Sequence, residues 1–194
     1  MIERSALLAD AKRLTARLVD DLRARTDHDE VPRIATRGTY DRAVSAGRTQ
    51  KTYEEWREDL LAQVAAGWVL ASVFVRFCED NGLVADPLLS GPGQRLDLAR
   101  DHRSDFFARQ PTAGDREWLE EVYRRYQRLP AVAAIFGERN PLWQLAPSAD
   151  GVAARDSAGF TFRSQYENHW RRRPRRSTSS HGSPERDSSC VDRG

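Results

Sequence analysis

Apolar residues recur along this chain at helical intervals, and almost nowhere at the two-residue interval of a strand. From Ser5 to Arg25, Leu7, Ala11, Leu14, Leu18 and Leu22 fall three or four apart with charges between them, the spacing of an amphipathic helix. The same spacing fits about two heptads, too few for a coiled coil, and Asp21 stands at a would-be core position; self-association through this helix is a minor alternative. "TDHDEVP" then reads as a loop, since its short polar side chains compete for backbone hydrogen bonds and Pro32 lacks a donor. A weaker helix is predicted over Pro32 to Ser45, with Gly38 lowering its propensity and "SAGRTQ" ending it.

Thr52 followed by Glu55 has the form of a capping box. Beyond it Trp56, Leu60, Val64 and Trp68 repeat every four residues, and Leu61, Ala65, Val69, Val73 and Phe77 widen the stripe until the later half is apolar nearly all round. This predicts a central helix ending in "RFCEDNGLV", where Gly82 suits a left-handed C-terminal position, Asn81 the cap, and Leu83 a contact back to Phe77 or Cys78. Glu79 and Asp80 sit where the helix dipole disfavours acids, which marks them as candidate docking acids awaiting a cation.

"ADPLLSGPGQ" reads as a turn-rich connector, and "RLDLARDHRSDFFAR" resumes helical spacing through Leu96, Ala99, Phe106 and Phe107. Asp115 is placed to cap a further helix with Trp118, Leu119, Val122, Tyr126 and Leu129 on its apolar face. Pro130 is expected to open one more short helix, "PAVAAIFG", before "ERNPLWQLAPS" leaves regular structure with Trp143 and Leu145 packed on the core. The fold class is therefore all-α: an irregular multi-helix domain over residues 1–150, followed by a disordered arginine-rich tail over 151–194.

Charge sharpens that division. The net charge of +2 conceals a basic tail: residues 151–194 carry nine arginines and five acids, which leaves 22 basic and 24 acidic groups for residues 1–150. The tail offers little to bury against the entropy of ordering it. Two readings of "RRRPRR" compete. Arg171, Arg172, Arg173, Arg175 and Arg176 are possible phosphate contacts, with Tyr166 and Trp170 beside them as stacking rings; or the stretch is an accident of a wrong reading frame in a GC-rich gene, the reading preferred here.

Chemistry is scarce. Two cysteines, Cys78 and Cys190, exclude a disulfide framework, and His169 and His181 lack the paired cysteines of a zinc site. The N-terminus has no uninterrupted apolar run of the secretory kind, and "VAAGWVLASVFVRFC" falls short of the roughly 20 residues that span a bilayer, so a soluble protein of the reducing cytoplasm is expected. Cys78 and His102 lie on different predicted elements, and a cysteine in an apolar run is core packing. "SGPGQ" follows no strand, as a phosphate-binding glycine loop would. "NPLW" has Leu142 where an amino-methylating loop needs proline. No catalytic, cofactor-binding or metal-ligating residue is assigned.

The run "TYEEWREDLLAQVAAGWVLASVFVRFCEDNGLVADPLLSGPGQRLDLARD", with "DREWL" and "NPLWQLAPSAD" after it, resembles the N-terminal region of the large adenine-specific DNA methyltransferases of type 2 BREX and phage growth limitation defence systems, over roughly residues 1–150. The resemblance implies a helical region preceding a domain that binds S-adenosylmethionine and methylates adenine N6 in duplex DNA, with DNA and other phage-defence proteins as partners of the full-length family. The family's glycine-containing cofactor motif and its Asn-Pro-Pro-Tyr motif have no counterparts here, so the resemblance implies an N-terminal fragment, truncated or frameshifted after about residue 150. The alternative is a stand-alone helical DNA-binding or adaptor module that uses the arginine tail.

Overall fold

The computed structural model describes residues 4–152, with side chains from residue 5. The described residues form five α-helices and one 3-10 turn, with no strand among them: α1 Arg4–His28, α2 Glu30–Ser45, α3 Tyr53–Asp80, α4 Gln94–Arg109, α5 Asp115–Gln127 and the turn Pro141–Trp143. The all-α expectation holds. The arginine cluster of 171–176 lies outside the described residues.

α3 is the axis of the domain, and its start is set locally. The Thr52 hydroxyl accepts from the Glu55 N–H while the Glu55 carboxylate accepts from the Thr52 N–H at 3.1 Å, so two otherwise orphaned donors are satisfied. Those hydrogen bonds hold the Glu55 carboxyl below the usual carboxylate range. Thr52→Ala is expected to cost about 1 kcal/mol, read as a lowered midpoint in urea with the far-ultraviolet circular dichroism of the native state unchanged.

From Leu60 to Val75, α3 buries Leu61, Val64, Ala65, Trp68 and Val69 almost completely. Leu14, Leu18 and Leu22 of α1 meet this face and are equally buried, so the leucine stripe that suggested self-pairing is consumed within the domain. By length and composition α3 is apolar enough to cross a membrane, and half of its most apolar window is packed inside the domain, as for a core helix. At the rim Arg23 of α1 grips Glu58 of α3 with both ends of its guanidinium, at 3.1 and 2.7 Å, and Arg57 reaches Asp27 at 2.7 Å. The Arg23–Glu58 pair is more than a third exposed on both sides, so it orients the helices more than it stabilises them.

Several local expectations shift. No loop separates α1 from α2: one residue, Asp29, bends the chain, its N–H bonded to Arg25 and its carbonyl to the Arg33 N–H. Pro32 is tolerated because it stands in the first turn, where no intrahelical donor is required. The cap of α5 is Gly114 rather than Asp115, with Glu117 accepting from the Gly114 N–H at 2.8 Å and Asp115 paired instead to Arg103 of α4 at 2.6 Å. Residues 128–139 form successive turns and not a helix. Phe136 accounts for that: it is fully buried, with its ring 5.8 Å from Tyr123, 5.6 Å from Tyr126 and 6.1 Å from Phe74, and this aromatic packing outweighs helix propensity over so short a run.

Candidate functional site

"RFCEDNGLV" and "LLSGPG" converge at the C-terminal end of α3. Gly82 takes φ +67°, its N–H bonds the Glu79 carbonyl at 3.2 Å, and the Leu83 N–H bonds the Cys78 carbonyl at 2.8 Å, the paired bonds of a Schellman motif. The Asn81 side chain adds a donor to the Phe77 carbonyl at 2.8 Å. The backbone reading of this terminus is right, while Leu83 and Phe77 both remain more than half exposed.

Glu79 faces inward and is fully buried. The connector after Gly82 folds back so that three consecutive amides point at its carboxylate: Leu88 at 2.7 Å to Oε1, Leu89 at 2.8 Å and Ser90 at 2.6 Å to Oε2. The Tyr126 hydroxyl of α5 donates to Oε1 at 3.2 Å. Where the sequence pattern asks for a cation, Glu79 thus meets three amides and a hydroxyl from inside the chain. Asp80, a fifth exposed at its side chain, accepts from Ser90 Oγ at 2.8 Å and lies 3.5 Å from Arg76 Nε, so it too is answered internally.

The connector that supplies these amides is shaped by its own residues. Arg95 donates to the Val84 carbonyl at 2.7 Å and to the Ala85 carbonyl at 3.1 Å. Gly91 and Gly93 take φ +144° and +60°, and a side chain at Gly91 would start 2.6 Å from Arg95 Cβ. The glycines of "SGPG" thus let the chain turn back tightly into α4, where Gly93 takes the cap position.

Burial raises the Glu79 carboxyl above the ordinary carboxylate range, against the opposing pull of the three amides and Tyr126. The folded state then binds the proton more tightly than the unfolded one, so the stability this group contributes is complete below about pH 4.3 and is lost as pH rises through the raised folded value. Denaturation midpoints of the wild type should fall relative to Glu79→Gln across that window; parallel pH profiles would contradict the assignment. The neighbouring Cys78 is buried, and its thiol is pushed up by desolvation and by the Glu79 charge, the opposite of what a reactive thiolate requires.

"NPLW" forms a second knot against α3. Asn140 Oδ1 accepts from the Leu142 N–H at 2.9 Å and Asn140 Nδ2 donates to the Ile135 carbonyl at 2.7 Å, so both ends of the amide are used in shaping the turn. Leu142 is fully buried and Trp143, half buried, packs against the core as expected; the Trp143 indole donates to the Phe136 carbonyl at 3.1 Å and lies under Arg124. Trp68 Nε1 donates to the carbonyls of Leu142 at 3.0 Å and Leu145 at 3.3 Å. The turn comes so near α3 that a Cβ on Gly67 would lie 3.2 Å from the Leu142 nitrogen. Beyond it, Arg25 holds the Ala146 and Pro147 carbonyls, and Asp21 accepts from the Ser148 N–H at 2.8 Å and from its hydroxyl. Asp21, an anomaly in the leucine stripe, is where the strap after the turn is tied to α1. Val152 at the end of this strap is buried.

Sequence reasoning missed Tyr123, which is fully buried, shares a hydrogen bond with Ser72 and meets the Trp68 ring edge-on at 5.4 Å. Among the described residues no group of three or more His, Cys, Asp or Glu side chains could hold a metal ion.

The two knots are built from the words that carried the resemblance, and comparison with known proteins finds a relative. The chain is 35% identical over 154 residues to the adenine-specific methyltransferase PglX of Streptomyces coelicolor. Over those residues the chain is PglX-like. The match takes in 78% of this chain and 13% of that PglX, so the chain spans about an eighth of the length of the relative it matches. No family model and no solved structure matches. The best-built features of the described residues hold helices together.

Proposed function

We propose that the helical unit is the scaffold region of a PglX-like, S-adenosylmethionine-dependent DNA adenine N6-methyltransferase of a phage-defence system, and that the chemistry lies outside the described helices. The observation behind the reading is the match to PglX over most of the chain. The geometry supports the scaffold part: Glu79, Asp80, Asn140 and Asp21 are all committed to backbone or side-chain partners within the domain. In this reading DNA and other defence proteins meet the assembled enzyme in the cytoplasm. The match weighs against a stand-alone DNA-binding or adaptor module, which would need no relation to a methyltransferase.

A chimera tests it. Residues 1–152 replace the segment of S. coelicolor PglX that they match, and adenine methylation of cellular DNA is measured against full-length PglX and against PglX lacking that segment. Methylation restored by the chimera is the expected result. A soluble chimera no better than the deletion would contradict the family role.

A further inference from the structure

α3 carries a surface that the described fold uses only in part, with Ala66 and Val73 half-buried, Val73 against the core, and Leu70 and Phe77 left exposed. Its solvent-facing side begins polar, with Asp59 and Gln63, and then turns apolar: Ala66, Leu70, Val73 and Phe77 follow at intervals of four, three and four. Leu70 is 64% exposed and Phe77 56%, on a helix whose opposite side forms the core. This interval places the four side chains in one row, and such a row matches the way an apolar helix face is laid into a groove of another protein. A single exposed leucine needs no explanation, but Leu70 and Phe77 exposed in one row on the central helix do.

We propose that the Ala66–Leu70–Val73–Phe77 row is the face on which the larger body of a PglX-like polypeptide packs. This rests on the family reading above. The match covers 13% of the S. coelicolor protein, so in that enzyme an equivalent helical unit is joined to a body several times its size. In this chain the leucine face of α1, the other long apolar stripe, is already spent on α3. The row is uncharged along its length, which fits a protein surface of like apolarity and offers nothing to nucleic acid, whose affinity comes from neutralised phosphates.

The test introduces Leu70→Glu with Phe77→Glu into both the 194-residue chain and the chimera described above. In the isolated chain both positions are solvated, so the urea midpoint is expected to stay unchanged. In the chimera, two carboxylates driven into an apolar interface should lower adenine methylation by about tenfold or more. The milder pair Leu70→Gln and Phe77→Gln carries the same comparison if the glutamates disturb the isolated fold. A variant chimera as active as its parent would overturn the proposal and leave the family reading intact. A parent chimera without activity removes both. Light scattering supplies the remaining arm: an isolated chain that is dimeric, and made monomeric by the two substitutions, would assign the row to a second copy and overturn the proposal.

Discussion

Glu79→Ala is expected to destabilise the domain by about 3–5 kcal/mol, because the substitution leaves the Leu88, Leu89 and Ser90 amides without their acceptor and removes one partner from a buried polar network. Against a total stability of about 5–15 kcal/mol for a domain of this kind, the variant should be largely unfolded at modest urea concentrations. The loss is local in origin. Leu88 and Ser90 are buried, so water cannot replace the carboxylate without opening the connector between α3 and α4. Glu79→Gln keeps a carbonyl oxygen for two of the amides but turns an NH2 toward a third donor or toward Tyr126, and should fall between wild type and alanine. Urea titration of the three proteins checks the order, and hydrogen exchange at residues 88–90 checks its cause: those amides should lose protection first in Glu79→Gln. An alanine variant within about 1 kcal/mol of wild type would mean that the amides find other partners, outside the usual cost of orphaned buried donors.

The second large effect belongs to Trp68. It is 1% exposed, its ring packs edge-on against Tyr123, and its indole N–H links α3 to the Leu142 and Leu145 carbonyls. Trp68→Ala removes a large core side chain and should cost about 3–5 kcal/mol. Trp68→Phe separates packing from hydrogen bonding: it keeps most of the ring but deprives two carbonyls of their donor, with an expected cost of about 1–2 kcal/mol. Its loss should be concentrated in the 141–145 strap, seen as faster hydrogen exchange there than at Leu14 or Leu18. Equal costs for the two variants would place the whole contribution in the N–H and contradict the packing account.

What the sequence revealed depended on whether the determining partner was nearby in the chain. The capping box of Thr52 and Glu55, the C-terminal Gly82 and the core phase of α3 are written within a few residues of each other, and all three are found in the structure. The break at Asp29 was mistaken for a loop because "TDHDEVP" has the composition of one, while the backbone hydrogen bonds that carry α1 into α2 leave no mark on composition. Glu79 was the larger miss. Viewed locally, an acid in the last turn of a helix opposes the dipole and suggests a missing cation; its actual partners are amides nine to eleven residues on, and amides are present at every position but proline. Residues 130–137 carried helix-forming alanines, yet Phe136 bonds its fate to Tyr123 and Tyr126 on α5, a tertiary contact that outweighs local preference. The resemblance to defence methyltransferases, by contrast, was legible because it rests on words and their order rather than on geometry.

At the centre of the account is the proposal that these helices act as a scaffold and hold no cofactor themselves. Isothermal titration calorimetry of the 194-residue chain with S-adenosylmethionine tests that claim most directly. No saturable heat is the predicted result. Stoichiometric binding at about micromolar strength, which corresponds to roughly 8 kcal/mol, would show a cofactor site within the chain and contradict it.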